Sequence, residues 1–308
     1  MLNTHILKII SYISPENFIL WMTQHIRVLP LLFLLLNGCS LTSIVTYSVS
    51  GFIGNTFVAI NEEQDLVIAE ASISSNLKLL DGLLKSAPDD EHYLLLAAQG
   101  YTGYALGFVE DENPERARIL YNRARMSALS LLQHNKNFAH IMDGSLDALQ
   151  NALASATRND VPAIFWTALS WGSELQLSLT DPAVIISFPK IQAMMEFVAT
   201  TDSAYYFAGA NFFLGALYGS RPAMFGGNTV LSKQYFDAAL RINEGKFLLT
   251  HIYYARFFAA QTLNQELYEQ LLTTVDSASI EILPAQRLAN AIAKKKALLL
   301  RTKINEIF

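Results

Sequence analysis

The sequence predicts an all-α protein: a TPR-like helical repeat, or α-solenoid, of stacked antiparallel helix pairs. Three observations carry this. Apolar residues recur at helical spacing almost without interruption from Asn61 onward. The interruptions fall at helix stop and start signals, with no convincing run of strands between them. And one stretch fits the 34-residue tetratricopeptide unit, in which bulky residues stand at positions 4, 7 and 11 and small ones at 8, 20 and 27, where two helices approach most closely. Counted from Ala98 as position 1, the chain supplies Tyr101, Tyr104, Ala105, Phe108, Ala117, Tyr121 and Ala124 at positions 4, 7, 8, 11, 20, 24 and 27.

The N-terminal segment reads differently. Arg27 precedes an apolar run from Val28 to Leu36, and Leu36-Asn37-Gly38-Cys39 follows. A charged start, a short apolar stretch and small residues before a cut describe a secretory signal, here residues 1–38. Cys39, the chain's single cysteine, stands where a lipobox places the acceptor of a diacylglyceryl anchor. The competing reading is a transmembrane helix, since the uncharged run from Val28 passes Ile60. Asn37, Gly38, Ser40, Thr42 and Ser43 break its apolar character, which favours the signal. Met22 makes a more ordinary start than Met1, because Met22 to Arg27 forms a compact basic n-region. With one lipidated thiol, no disulfide forms within a chain, as suits an oxidising periplasm. Ser40 follows the cysteine where aspartate marks inner-membrane retention in such lipoproteins, so the outer membrane is expected. Residues 39–60 read as the lipidated cysteine and a tether running into the first helical turns, and 61–308 as the helical domain.

Within that domain, breaks are expected at Pro88-Asp89-Asp90, Asn113-Pro114, Arg158-Asn159-Asp160, Asp181-Pro182, Arg221-Pro222, Gly226-Gly227, Asn243-Glu244-Gly245 and Pro284. Asp160 before Pro162, and Asp181 before Pro182, place a capping oxygen and then a proline at a helix start. A second, interrupted unit has Leu214 to Tyr218 at positions 7 to 11 and Phe236 to Ala239 shifted by the extra turn 220–227. Weaker units begin near Val161 and Leu248.

Composition limits function. Hydrophobic residues make up 52% and charged residues 16% of the 308, so the chain buries a sizeable core and is not disordered. A formal net charge of −5 without a basic stripe excludes nucleic acid as a natural partner. Lys294-Lys295-Lys296 is expected to form a solvated helix face with Arg301 and Lys303, and Glu110-Asp111-Glu112 and Asp89-Asp90-Glu91 to be solvated helix starts. The histidines lack zinc-ligand spacing, and nucleophile-elbow, Walker and dinucleotide motifs are absent from the sequence. No enzyme, metal or cofactor is expected.

Two places could meet a ligand or partner. Trp166 and Trp171, on one expected helix, would offer flat apolar walls with N–H donors. The turn 220–227 leaves the repeat register, and such loops often line the binding face; Tyr218, Arg221, Phe225, Gly226 and Gly227 are its candidates. The bland reading has the tryptophans filling the core, Arg221 capping a helix and the glycines making turns.

Four segments resemble the T component associated with TRAP transporters, the TatT family. They are Leu79-Leu80-Asp81-Gly82-Leu83-Leu84 through Leu94-Leu95-Leu96-Ala97-Ala98; Ala105-Leu106-Gly107-Phe108-Val109-Glu110-Asp111 with Arg116-Ala117, Tyr121 and Arg123-Ala124; Asp160-Val161-Pro162-Ala163 with Trp166 and Ser170-Trp171-Gly172; and a C-terminal run with Gly215, Arg221-Pro222, Gly226-Gly227, Phe236, Gly245-Lys246-Phe247-Leu248, Tyr254-Ala255 and Arg287-Leu288-Ala289-Asn290. The resemblance implies a periplasmic lipoprotein that associates with a TRAP-type solute-binding protein. It also implies a homotrimer with a pore through each subunit, and a role in handling small, hydrophobic ligands. The alternative is a scaffolding lipoprotein of the envelope without a ligand. A ligand handler should contain an apolar pocket reaching Trp166, Trp171 or Phe225; a scaffold should show a packed interior and an exposed apolar groove.

Overall fold

A computed structural model describes residues 41–142, 144–178 and 186–308, with side chains from residue 51 onward. Cys39, the signal segment and the Asp181-Pro182 start lie outside the described residues. The chain divides into two units, 1–53 and 54–308. The described part of the first is the beginning of α1 (Leu41–Asn61), so the stretch read as a tether is helical. Among the described residues there is no strand, and no helix is long and apolar enough to cross a membrane.

The second unit is a succession of helices set by caps and apolar stripes. α2 (Leu66–Ser86) begins where the Asp65 carboxylate accepts the N–H groups of Val67 and Ile68, and buries Ala69, Ile73, Leu77 and Leu80 at spacings of four, four and three. α3 (Glu91–Tyr104) is capped by Asp90. It runs into a π turn, Ala105–Val109. α4 (Pro114–Leu132) starts at Asn113, which accepts the Arg116 N–H ahead of a proline that needs no acceptor. Every residue assigned to the unit counted from Ala98 is buried, with Ala98, Ala105, Ala117, Tyr121 and Ala124 fully so. The small residues let α3 and α4 approach each other.

α5 (Leu146–Ser155) is short and packs on α7 (Phe188–Thr201). α6 (Val161–Gln176) therefore packs directly on α4, and also on α7. Asp160 does not cap α6. Its carboxylate accepts the Thr157 N–H at 2.8 Å and the Asn135 amide at 2.9 Å, closing the preceding turn. α8 (Tyr205–Gly219) and α9 (Thr229–Ile242) pack against each other. Gly219 sits where a Cβ would stand 2.1 Å from the Phe257 carbonyl oxygen and 2.7 Å from the Ser232 hydroxyl. α10 (Leu249–Tyr254) runs into a second π turn, Ala255–Ala259. Both π turns follow a Tyr-Ala pair and precede an asparagine that caps the next helix, Asn113 in one case and Asn264 in the other. α11 (Gln265–Ser277), α12 (Arg287–Thr302) and the short α13 (Ile304–Ile307) complete the chain.

The succession closes on itself. α12 packs on α10 and α11, and also on α2, and its Ile292 fills the space beside Gly107 in the first π turn. Here the sequence expectation for the charged runs is corrected. Glu110 to Glu112 follow the π turn at the C-terminal end of a helix, where the peptide dipole disfavours negative charge. Compensation comes from α12: Lys296, its side chain 5% exposed, reaches Glu110 at 2.8 Å and Asp111 at 2.5 Å. Lys294 instead donates to the last carbonyls of α11, those of Val275 and Asp276. Three consecutive lysines are turned about 100° apart on a helix, so they cannot share one solvated face.

Among the described residues, five other than glycine take positive φ: Tyr206, Phe207, Ala208, Glu244 and Leu263. Leu263 (φ 51°) is 70% exposed and lies in the turn between the second π turn and the capping Asn264. Leu263→Gly is expected to stabilise the fold by about 0.5–1 kcal/mol, the left-handed penalty of a Cβ less the freedom glycine gives the unfolded chain. A shift of the urea midpoint measures it; an unchanged or lowered midpoint contradicts it.

Candidate functional site

α6 organises the interior. Trp166, Leu169, Ser173 and Gln176 recur at intervals of three and four, so they line one side of the helix. Two cavities open along that side, and Leu169 lines both.

The first, about 850 Å³ when the open space at its mouth is included, has aromatic walls: Phe57, Trp166, Tyr206, Phe212 and Phe247, with Leu106 and Ile292 between them. The Trp166 N–H is already donated to the Tyr205 hydroxyl at 3.1 Å, so the indole presents its ring and not a free donor, contrary to the expectation for it. Tyr206 meets Trp166 edge-on at 4.7 Å. It reaches that place because Tyr206, Phe207 and Ala208 form three consecutive left-handed residues at the start of α8. Such a turn costs roughly 1–2 kcal/mol per residue. The surroundings fix it: Phe207 stacks on Phe247 at 5.2 Å, and the Asn243 amide donates to the Phe207 carbonyl at 3.1 Å. Strain held by its neighbours and facing a cavity is the pattern of a shaped site. Burial pushes the Tyr205 and Tyr206 hydroxyls up to about 12, so both are neutral.

The second cavity, about 680 Å³ with the open space at its mouth, is lined by Phe188, Phe213, Tyr253 and Phe257 together with Glu110 and Arg256. Glu110 accepts from the Tyr121 hydroxyl at 2.5 Å as well as from Lys296. The Arg256 guanidinium lies 5.2 Å over Phe257 and 3.9 Å from Asp111. Burial, and then the Glu110 charge, raises the Tyr253 hydroxyl well above its ordinary range.

Of the residues expected from sequence, Trp166 lines the aromatic cavity. Trp171 lines neither cavity. Five residues along a helix turn the side chain through about 500°, so it points some 140° away from Trp166, into the core, where it is 5% exposed. Tyr218 is also core. Its hydroxyl donates to Glu196 at 3.0 Å and its ring stacks on Tyr235 at 5.7 Å. Arg221 closes the end of α8, donating from Nε to the Leu217 carbonyl at 2.9 Å, with its guanidinium 5.2 Å over Phe188, a wall of the charged cavity. Burial lowers the tendency of Arg221 to hold its proton. Gly226 takes a left-handed conformation (φ 83°), and the Gly227 N–H donates to the Pro222 carbonyl at 3.1 Å. A Cβ on Gly227 would fall 1.7 Å from the Arg221 carbonyl oxygen, so the turn admits no side chain there. Phe225 lines neither cavity; it stands 47% exposed beside Met224, 81% exposed.

Sequence reasoning passed over Tyr206, whose role depends on the left-handed turn, and the polar residues of the aromatic cavity. Gln99 and Thr102 on α3, with Gln286 ahead of α12, bring uncharged polar groups to its wall. The signal was there: Gln99 and Thr102 stand three apart in an otherwise apolar run from Leu94 to Val109.

No curated protein matches the chain. Among protein families, residues 62–308 match the one described as TRAP transporter T-component.

Proposed function

The chain belongs to the TRAP transporter T-component family, and on that premise we propose that it is a periplasmic lipoprotein, anchored through Cys39 to the outer membrane, that binds the transporter's solute-binding protein and helps handle a small apolar ligand. Membership itself makes it a transport component of the cell envelope. The observation that carries the finer reading is the aromatic cavity reaching Trp166. A scaffold that only held other envelope proteins would have no use for aromatic walls converging with a few polar groups behind its surface. The turn 220–227 supplies the face for the solute-binding protein, with Met224 and Phe225 exposed on a backbone fixed by Gly226, Gly227 and Arg221. Exposed apolar side chains on a rigid turn lose little freedom on binding. Assembly as a homotrimer would bring three such faces together.

The test is capture of the lipoprotein from membranes of the native cell. The solute-binding protein should come with it, and a Met224→Ser/Phe225→Ser double variant should retain less than about a tenth of that yield, as for a pair of contact residues worth at least 1.4 kcal/mol. Equal capture by the variant would move the contact elsewhere. Cys39→Ala should release the protein from the membrane fraction; continued sedimentation with membranes would overturn the anchor.

A further inference from the structure

The lining of the aromatic cavity has a charge pattern that its apolar character alone does not require. None of its lining side chains is Asp, Glu, Lys, Arg or His, whereas the neighbouring cavity across Leu169 carries Glu110 and Arg256. Its polar groups are Asn61, Gln99, Thr102 and Gln286, all uncharged. One of them is unsatisfied. Thr102 is 2% exposed, and its Oγ1 has no hydrogen-bond partner. A threonine inside a helix ordinarily returns its hydroxyl to the carbonyl four residues back, as Thr167 does to Ala163 at 2.7 Å. A buried hydroxyl left without a partner is costly and asks for one. It stands on a wall built mostly of rings and aliphatic side chains, with the amides of Gln99 and Gln286 on the same lining.

We propose that the aromatic cavity takes an uncharged amphiphile, an apolar body ending in a single neutral hydrogen-bonding group such as an alcohol or amide, and that this group pairs with Thr102 Oγ1. The inference rests on the ligand-handling reading above and narrows it to one chemical class. A carboxylate entering this space would lose its water and find no cation, a cost that a neutral hydroxyl of the same chain length does not meet. The amides of Gln99 and Gln286 offer further hydrogen bonds but no charge to balance. The cavity thus selects by exclusion, and a deprotonated acid is turned away whatever its tail.

Calorimetric titration of the purified full chain with 1-decanol, decanoate and decane at pH 8 separates the outcomes. Decanol is expected to bind about tenfold or more tighter than decanoate, because only the acid carries a charge into the uncharged lining. Thr102→Val should weaken decanol about fivefold while leaving decane unchanged, as for loss of one hydrogen bond. Thr102→Ser, which keeps the hydroxyl, should restore the wild-type preference and shows that the effect is not a folding defect. Decanoate binding as tightly as decanol, or a valine variant that binds decanol normally, overturns the assignment while leaving ligand handling in place. Failure of all three probes to bind overturns ligand handling itself.

Discussion

Lys296→Ala is expected to lower the unfolding free energy by about 3–5 kcal/mol, the usual consequence of removing one partner from a buried charge cluster. The lysine is nearly inaccessible and stands between Glu110 and Asp111, of which Glu110 is 12% exposed and also holds the Tyr121 hydroxyl. Without the ammonium, two carboxylates remain side by side at a helix end whose dipole already repels them. The loss comes from that unbalanced charge rather than from the attraction itself, since the ion pair also had to be desolvated. The triple variant Glu110→Gln/Asp111→Asn/Lys296→Met should therefore recover most of the stability. Urea unfolding followed by circular dichroism reads both. A loss below about 1 kcal/mol in the single variant, the range of exposed ion pairs, would show that the cluster is solvated.

Gly219→Ala should cost about 1–3 kcal/mol or more, at the upper end of overpacking because the obstacle is main chain. The added methyl would stand 2.1 Å from the Phe257 carbonyl oxygen in the second π turn, and that oxygen cannot rotate away as a side chain could. α8 and the π turn would have to part, and the charged cavity, lined by Phe213 and Ala216 on one side and Phe257 on the other, would widen. Gly82, on α2 with open space around its Cβ position, supplies the control: Gly82→Ala should be neutral or slightly stabilising from helix propensity. Equal midpoints for the two variants would show that the close approach at Gly219 is not tight.

Much of this was legible in the sequence, for a physical reason that also explains the failures. The positions counted from Ala98 to Ala124 are local: two adjacent helices, small residues facing small residues, and a fixed interval between them. Asn113 before Pro114 is local too, and the cap is where the pair indicates. Asp89-Asp90-Glu91 is the helix start expected, but Glu110 to Glu112 and the lysine run were misread because their meaning depends on contact between α12 and the end of α3, 186 positions apart in one case. Trp166 and Trp171 were grouped by proximity in sequence, although helix geometry alone would have separated them. The aromatic cavity draws its walls from α1, α2, α3, α6, α8 and α12, and no interval within one helix encodes such a gathering. Tyr206 entered it through a backbone conformation that Tyr-Phe-Ala gives no reason to expect.

The return of α12 to α2 bears on how the protein is made. An open helical stack can consolidate unit by unit as it leaves the ribosome, each new pair resting on the one before it. Here α12, made after α2, α10 and α11 on which it packs, supplies the counter-charge for Glu110 and the wedge at Gly107. A nascent chain halted before residue 287 would leave Glu110 without its lysine, Asp111 with only the Arg256 guanidinium 3.9 Å away, and an unfilled gap beside Gly107. Closure of the fold thus waits for α12, and a copy lacking that helix would have little protection from proteases.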